Sequence, residues 1–434
     1  MNLQHLMDQY LQSPLVQELV NRQTYADTQK TYLSNLQGSS AEFIVSSVFM
    51  HPDAQGMNHL VILNDAEEAA YFHNTIENLT SALDLFYFPA SFKNRKNFRL
   101  LNSSHVMLRT EALTKLSRGG NKKIIITYPE AIFEKVILPE TISSNIITIK
   151  TNDTINPESL MDLFVMYGFE RTDFVYEPGQ FALRGGILDI YSFGNEKPYR
   201  VELFGNEVDS IRIFDPETQL SERKLLQVNI IPNVDTLPEA FGAGSVQKIS
   251  LLDFVPENTI VWLRDWDVIE EKIRVQEEDF EGYLLLQEQG YFTKQQEEED
   301  YHILKEVHWT DFIKGHEIKT ILETKPLIEF GYKPHFAQFE LAFLVKPQPA
   351  FNRQFDLLIK DLKALEGAQY SIYIFAEQVK QLERLSTIFT DLNTEIQFTP
   401  IGTSIHEGFI DHQLKLVCYT DHQIFQRYHK YKVK

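Results

Sequence analysis

Along the first 145 residues, short unbroken apolar runs alternate with segments whose apolar residues recur every three or four positions. Residues 59–63 and 123–127 are such runs, and a continuous apolar run predicts a strand buried on both faces. After the first run, Asp65 stands where a helix N-cap belongs and Glu68 occupies the capping-box position. Ala69, Phe72, Ile76 and Leu79 then share one helical face. After the second, Pro129 opens the first turn of a helix in PEAIFEKVI. Strands alternating with amphipathic helices predict a parallel sheet covered on both sides.

The pattern changes near residue 146. Residues 146–149 read as a strand and 157–167 as a helix ending at Gly168. Residues 176–215 read as three strands, at 183–191, 199–204 and 210–214, joined by polar turns. Side chains alternate faces along a strand, so Val201 and Leu203 point inward with Ile211 and Ile213. Arg200, Glu202 and Phe204 share the other face. Two readings fit an aromatic ring there: a recognition patch, or a ring lying beneath a neighbouring helix with an arginine that only keeps the sheet soluble.

From about residue 232 the chain is expected to rejoin the first sheet. SLLDFVPENTIVW at 250–262 places a Pro-x-Asn-Thr turn before a buried strand. Residues 265–289 form a charge-rich helix or helix pair, and the acidic run 295–300 an exposed loop. Beyond 335 a further small α/β unit is predicted. It has strands at 372–375, 395–398 and 414–419, and a helix carrying Val379, Leu382, Leu385 and Phe389.

Composition narrows the function classes. At 434 residues the chain is too long for one ordinary core. A net charge of −20 makes it a poor general binder of phosphate backbone. Its one cysteine, Cys418, lies in an apolar run and reads as inert core, so no disulfide framework forms, which fits a reducing, cytoplasmic setting. No run of about 18 apolar residues is present to span a membrane. His406-Glu407 is followed by His412 six residues on, a spacing that does not set two metal ligands on one helical face.

The centre of the chain resembles a known family. RGGILDI at 184–190, PYRVELF at 198–204 and Val208-Asp209-Ser210 together resemble the second domain of the bacterial transcription-repair coupling factors (Mfd) and the matching domain of their relative UvrB. The resemblance implies a surface for UvrA made of two arginines and a phenylalanine, which match Arg184, Arg200 and Phe204 with the spacing intact. It further implies four parts. These are a helicase-motor-like domain at 1–145, a UvrA-binding α+β domain at 146–231, the completion of the first domain at 232–330, and a small α/β domain at 335–434. The fold class is thus α/β multidomain. In the family, RNA polymerase and double-stranded DNA are met by later domains, and a C-terminal domain masks the UvrA surface. The chain therefore reads as a fragment of a longer protein.

The resemblance can be examined at the phosphate loop, where a working motor has G-x-x-x-x-G-K-[ST]. Here the stretch is Asn35-Leu36-Gln37-Gly38-Ser39-Ser40-Ala41-Glu42. Asn35 replaces the first glycine, Ala41 the lysine and Glu42 the hydroxyl, which predicts that nucleotide does not bind. An anion-binding turn at Gly38-Ser39-Ser40 is the weaker alternative. ATP and Mg²⁺ are expected only in a C-terminal translocase outside this chain. The basic, aromatic-interleaved run Lys93–Arg99 reads as a solvated loop with its phenylalanines tucked beneath, where UvrB has a long hairpin. The reading of the whole is a non-catalytic docking module that recruits UvrA. Its rivals are a UvrB-like helicase and a sequence-independent DNA binder.

Overall fold

The computed structural model describes residues 2–25, 29–54, 56–82, 84–234, 246–292 and 306–431. The acidic run 295–300 lies outside the described residues.

Seven strands form the largest sheet, in the order Phe339–Ala342, Lys30–Ser34, Leu327–Phe330, Thr259–Arg264, Asn58–Ile62, Ile124–Thr127, Leu85–Tyr87. Every neighbouring pair is parallel. The central strands are buried on both faces, because helices cover both sides of a parallel sheet. The helix Ala66–Thr80 begins as expected: the Asp65 side chain accepts the Glu68 amide, and the Glu68 carboxylate accepts the Asn64 amide. The helix at Pro129 stops at Phe133, and Val136–Ile137 turns into a strand. Residues 265–289 hold one helix, Trp266–Glu288.

A six-stranded sheet follows, in the order Ser221–Leu225, Glu207–Phe214, Tyr199–Phe204, Ile187–Ile190, Gln180–Arg184, Glu170–Arg171. The expected single strand at 183–191 is a hairpin instead. Gly185, at a φ of 61°, turns the chain between Arg184 and Ile187, a conformation that favours glycine. The helix Pro157–Met166 lies on the sheet's inner face. Phe164 packs edge-on against Phe181 at 5.4 Å between centroids, and Leu188, Val201 and Ile211 are buried in the same core.

The last unit is a mixed five-stranded sheet, in the order Val345–Pro347, Phe409–Asp411, Leu416–Thr420, Ser371–Phe375, Thr399–Ile401. Its helices Phe355–Gly367 and Val379–Asp391 bury Leu358, Leu362, Leu382 and Leu385. The strand expected at 395–398 lies instead at Thr399–Ile401, although Ile396 is buried. Phe339–Ala342 joins the large sheet, although it follows the boundary drawn from sequence at 335. Cys418 is fully buried, which pushes its thiol pKa well up. No described helix is long and apolar enough to cross a membrane.

Candidate protein-docking surface

The outer face of the six-stranded sheet is built by strand register. Asp189 stands opposite Ala182 on one side and Arg200 on the other. Arg184, two residues along its strand from Ala182, projects from the same face. Asp189 is completely buried and holds both cations. Arg200 donates from Nε to Oδ1 at 2.8 Å and from Nη2 to Oδ2 at 3.1 Å, and Arg184 donates from Nη2 to Oδ2 at 2.7 Å. A backbone carbonyl steadies each guanidinium further, Asp173 for Arg184 and Gln219 for Arg200. Each also lies over an aromatic ring. Arg184 is 4.4 Å from the Phe174 centroid and Arg200 is 4.3 Å from that of Phe214, a favourable cation–π geometry. The paired carboxylate pushes the Arg200 pKa further up.

Phe204 closes its strand beside the Gly205-Asn206 turn, and its ring is 85% exposed. Among the described residues, no helix covers it. Val201 and Ile211 are buried on the other face, while Leu203 and Ile213 are only half-buried. The bulge opposite Glu202 and Leu203 lies on the partner strand, where Asp209 is skipped in the pairing, so Arg200, Glu202 and Phe204 keep their common face. The two arginines are not free forks, because Asp189 already takes both. Of the five N–H donors on each, Arg184 uses two and Arg200 three in these bonds. The sequence reading also missed the apolar rim: Phe174, Tyr176 and Leu220 are 48%, 55% and 68% exposed. Their signal in the sequence was only an apolar residue within a polar turn.

The phosphate-loop stretch is arranged oppositely. Asn35 and Gly38 have φ values of 59° and 54°, and the helix Ser40–Met50 follows. The loop amides are occupied by protein acceptors: Gln37 donates to Ser40 Oγ at 3.0 Å, Ser40 to Gln37 O at 3.2 Å, and Ser39 to Glu407 O at 2.9 Å. The Glu407 amide returns a bond to Ser39 Oγ at 2.9 Å. A Cβ on Gly38 would stand 2.5 Å from Gly408 O, so the last unit fills the space above the loop. Ala41 is buried. Glu42 is buried too, and burial pushes its pKa up to about 7 despite the opposing pull of Arg264. Burial thus favours its neutral form, which is less repulsive than a full charge. Beside the plug lies a cavity of about 390 Å³ lined by Asp65, Glu67, Glu68 and Glu407 together with Tyr71, three histidines and Arg427, the last already paired with Asp421. Four carboxylates against that one guanidinium disfavour a polyphosphate.

The other candidate residues lie apart. The basic run forms a short hairpin, Phe92–Asn94 with Asn97–Leu101. Phe98 is buried among Phe133, Phe280 and Phe312, and Arg95 pairs with Asp279 at 3.3 Å. His406 stacks on Tyr71, whereas His412 meets the Tyr370 hydroxyl.

Residues 147–235 match the UvrB interaction domain family. The transcription-repair-coupling factor of Bacillus subtilis (strain 168) is 24% identical over 363 aligned residues, covering 69% of this chain and 30% of that protein. The one from Staphylococcus aureus (strain MRSA252) is 22% identical over 438 residues, covering 85% of this chain and 36% of its own length. The chain thus spans about a third of the length of the relatives it matches. It is similar at residues 147–235 to the UvrB interaction domain and, over most of its length, to the N-terminal region of transcription-repair-coupling factors.

Proposed function

We propose that this chain is a non-catalytic docking module that recruits UvrA in transcription-coupled repair, through Arg184, Arg200 and Phe204. The observation that carries this reading is the outer face of the six-stranded sheet, with Phe204 85% exposed on the same face as two guanidiniums fixed by a buried carboxylate. Rigid aromatic and arginine side chains are the usual anchors of protein interfaces, since little side-chain freedom is lost when they bind. The matched family spans this sheet. Contacts to RNA polymerase and to duplex DNA, and any ATP-driven translocation, belong in this reading to further domains of a longer protein. The occupied phosphate loop supports a module without nucleotide chemistry.

The test is a titration of purified UvrA against the chain and its Arg200→Glu and Phe204→Ala variants, with circular dichroism to check folding. Each substitution is expected to weaken binding by about 2 kcal/mol or more, roughly 30-fold. Wild-type affinity in both folded variants would overturn the proposal.

A further inference from the structure

The same register that sets Asp189 against Arg200 continues outward across the sheet. Arg212 stands directly opposite Arg200, and Lys224 directly opposite Arg212. Three cations therefore lie side by side on one face, and Asp189 neutralises only the first. Among the described residues, neither Arg212 nor Lys224 has an ion pair, and the Arg212 Nε is buried without a hydrogen-bond partner. Like charges directly opposite one another destabilise a sheet, and an unpaired buried donor adds to that cost. Glu202, two residues along its strand from Arg200, accepts a hydrogen bond from Ser210, and Glu222, two residues from Lys224, is paired with Lys197 at 2.7 Å. The chain as a whole carries −20, so a local stripe of unneutralised cations runs against its overall charge.

We propose that Arg212 and Lys224 extend the docking surface as a cationic stripe that receives an acidic segment of the partner protein. This inference rests on the docking role of the Arg184, Arg200 and Phe204 face, and it names what that face reads next to the aromatic anchor. Carboxylates laid along the stripe relieve the Arg200–Arg212–Lys224 repulsion and pair with the outer N–H groups of these cations. Binding then gains what folding left unsatisfied. Charge complementarity of this kind sets encounter rate and register, and it weakens as salt rises.

The experiment titrates purified UvrA against the full chain across a salt series, using Arg212→Glu, Lys224→Glu and Phe204→Ala. Each charge reversal is expected to weaken binding about tenfold at low salt and to flatten the salt dependence. Both should melt at or above the wild-type temperature, because a like-charge contact has gone. Phe204→Ala should weaken binding while leaving the salt slope intact. Arg212→Gln and Lys224→Gln, the milder pair, should lose about threefold and cover the case in which a reversal does not fold. Wild-type affinity and slope in all the stripe variants, with Phe204→Ala still weakened, would sink the stripe and leave the docking role standing. Unweakened binding in every variant, Phe204→Ala included, would sink both. A loss of duplex DNA binding without any loss of UvrA affinity would assign the stripe to phosphate and overturn the acidic segment.

Discussion

The outer face of the six-stranded sheet and the loop at residues 35–42 differ in what becomes of their donors. On the sheet, Asp189 positions two guanidiniums and leaves about half their N–H groups unused, while Phe204 stands in solvent. At the loop, the amides of Gln37, Ser39 and Ser40 are already paired within the chain, and Glu407-Gly408 lies directly against Gly38. Polar groups committed to internal partners stabilise a fold and bind nothing else. Groups held in position but only partly paired are what a second molecule can use.

The largest effect should come from breaking the device that keeps the sheet surface in position. Asp189→Ala removes the shared acceptor of Arg184 and Arg200 and leaves two charges facing each other. Arg200 has only 14% of its side chain exposed and Arg184 has 34%, so the second is partly screened. A loss of about 3 kcal/mol in urea unfolding is expected, with UvrA affinity falling as well. Asp189→Asn should keep the side-chain shape and recover part of the stability but little of the binding. Full stability in Asp189→Ala would mean that the arginines hold their places without it.

At the closed loop, Glu42 offers an effect of opposite sign. Its native pKa of about 7 lies above the ordinary value of 4.5. The native state therefore holds the extra proton between those values, and this group's contribution to stability falls as pH rises through that window. Glu42→Gln should stabilise the chain by about 2 kcal/mol at pH 8, with the difference vanishing below pH 4.5. A flat difference across that range would place the carboxylate in contact with water. His59 acts in the other direction. It is buried beside Trp262 with its pKa pushed down to about 3, so stability is lost as pH falls below about 6.5.

A smaller cost is expected from Gly38→Ala. The residue sits at a φ of 54°, and a Cβ there meets Gly408 O at 2.5 Å. Strain and the displaced contact should cost on the order of 1–2 kcal/mol by chemical denaturation. Hydrogen exchange should rise at the amides of Ser39 and Glu407, which bond across this contact. Unchanged exchange at both would mean that the last unit is held by other contacts.

The two regions differed in how far the sequence could describe them. Period-two alternation was enough to put Arg200, Glu202 and Phe204 on one face, because that rule is local. The hairpin at Gly185 escaped the reading since a glycine pair fits a strand bulge as well as a turn. Asp189, Arg212 and Lys224 became meaningful only once register set them beside Arg200, and pairing partners are not written in any one strand. The plug was further out of reach: Ser39 and Glu407 are 368 residues apart. The segment at 395–398 misled because its alternating Ile396 and Phe398 pack against a helix, not a neighbouring strand.

The last test separates the chemistry of the loop from its occupancy, and its expected effect is none. Ala41→Lys with Glu42→Thr restores the cation and the hydroxyl that a phosphate loop uses. If lost side chains alone silence the site, ATP with Mg²⁺ should bind the double variant and raise its melting temperature by mass action. The structure argues otherwise, since Ser39 N–H remains bonded to Glu407 O and Gly408 still occupies the approach to Gly38. Nucleotide would have to displace a segment tied to the five-stranded sheet through Phe409–Asp411. No shift at millimolar ATP is therefore the expected result. A clear shift would show that the plug yields, and that Ala41 and Glu42 alone keep nucleotide out.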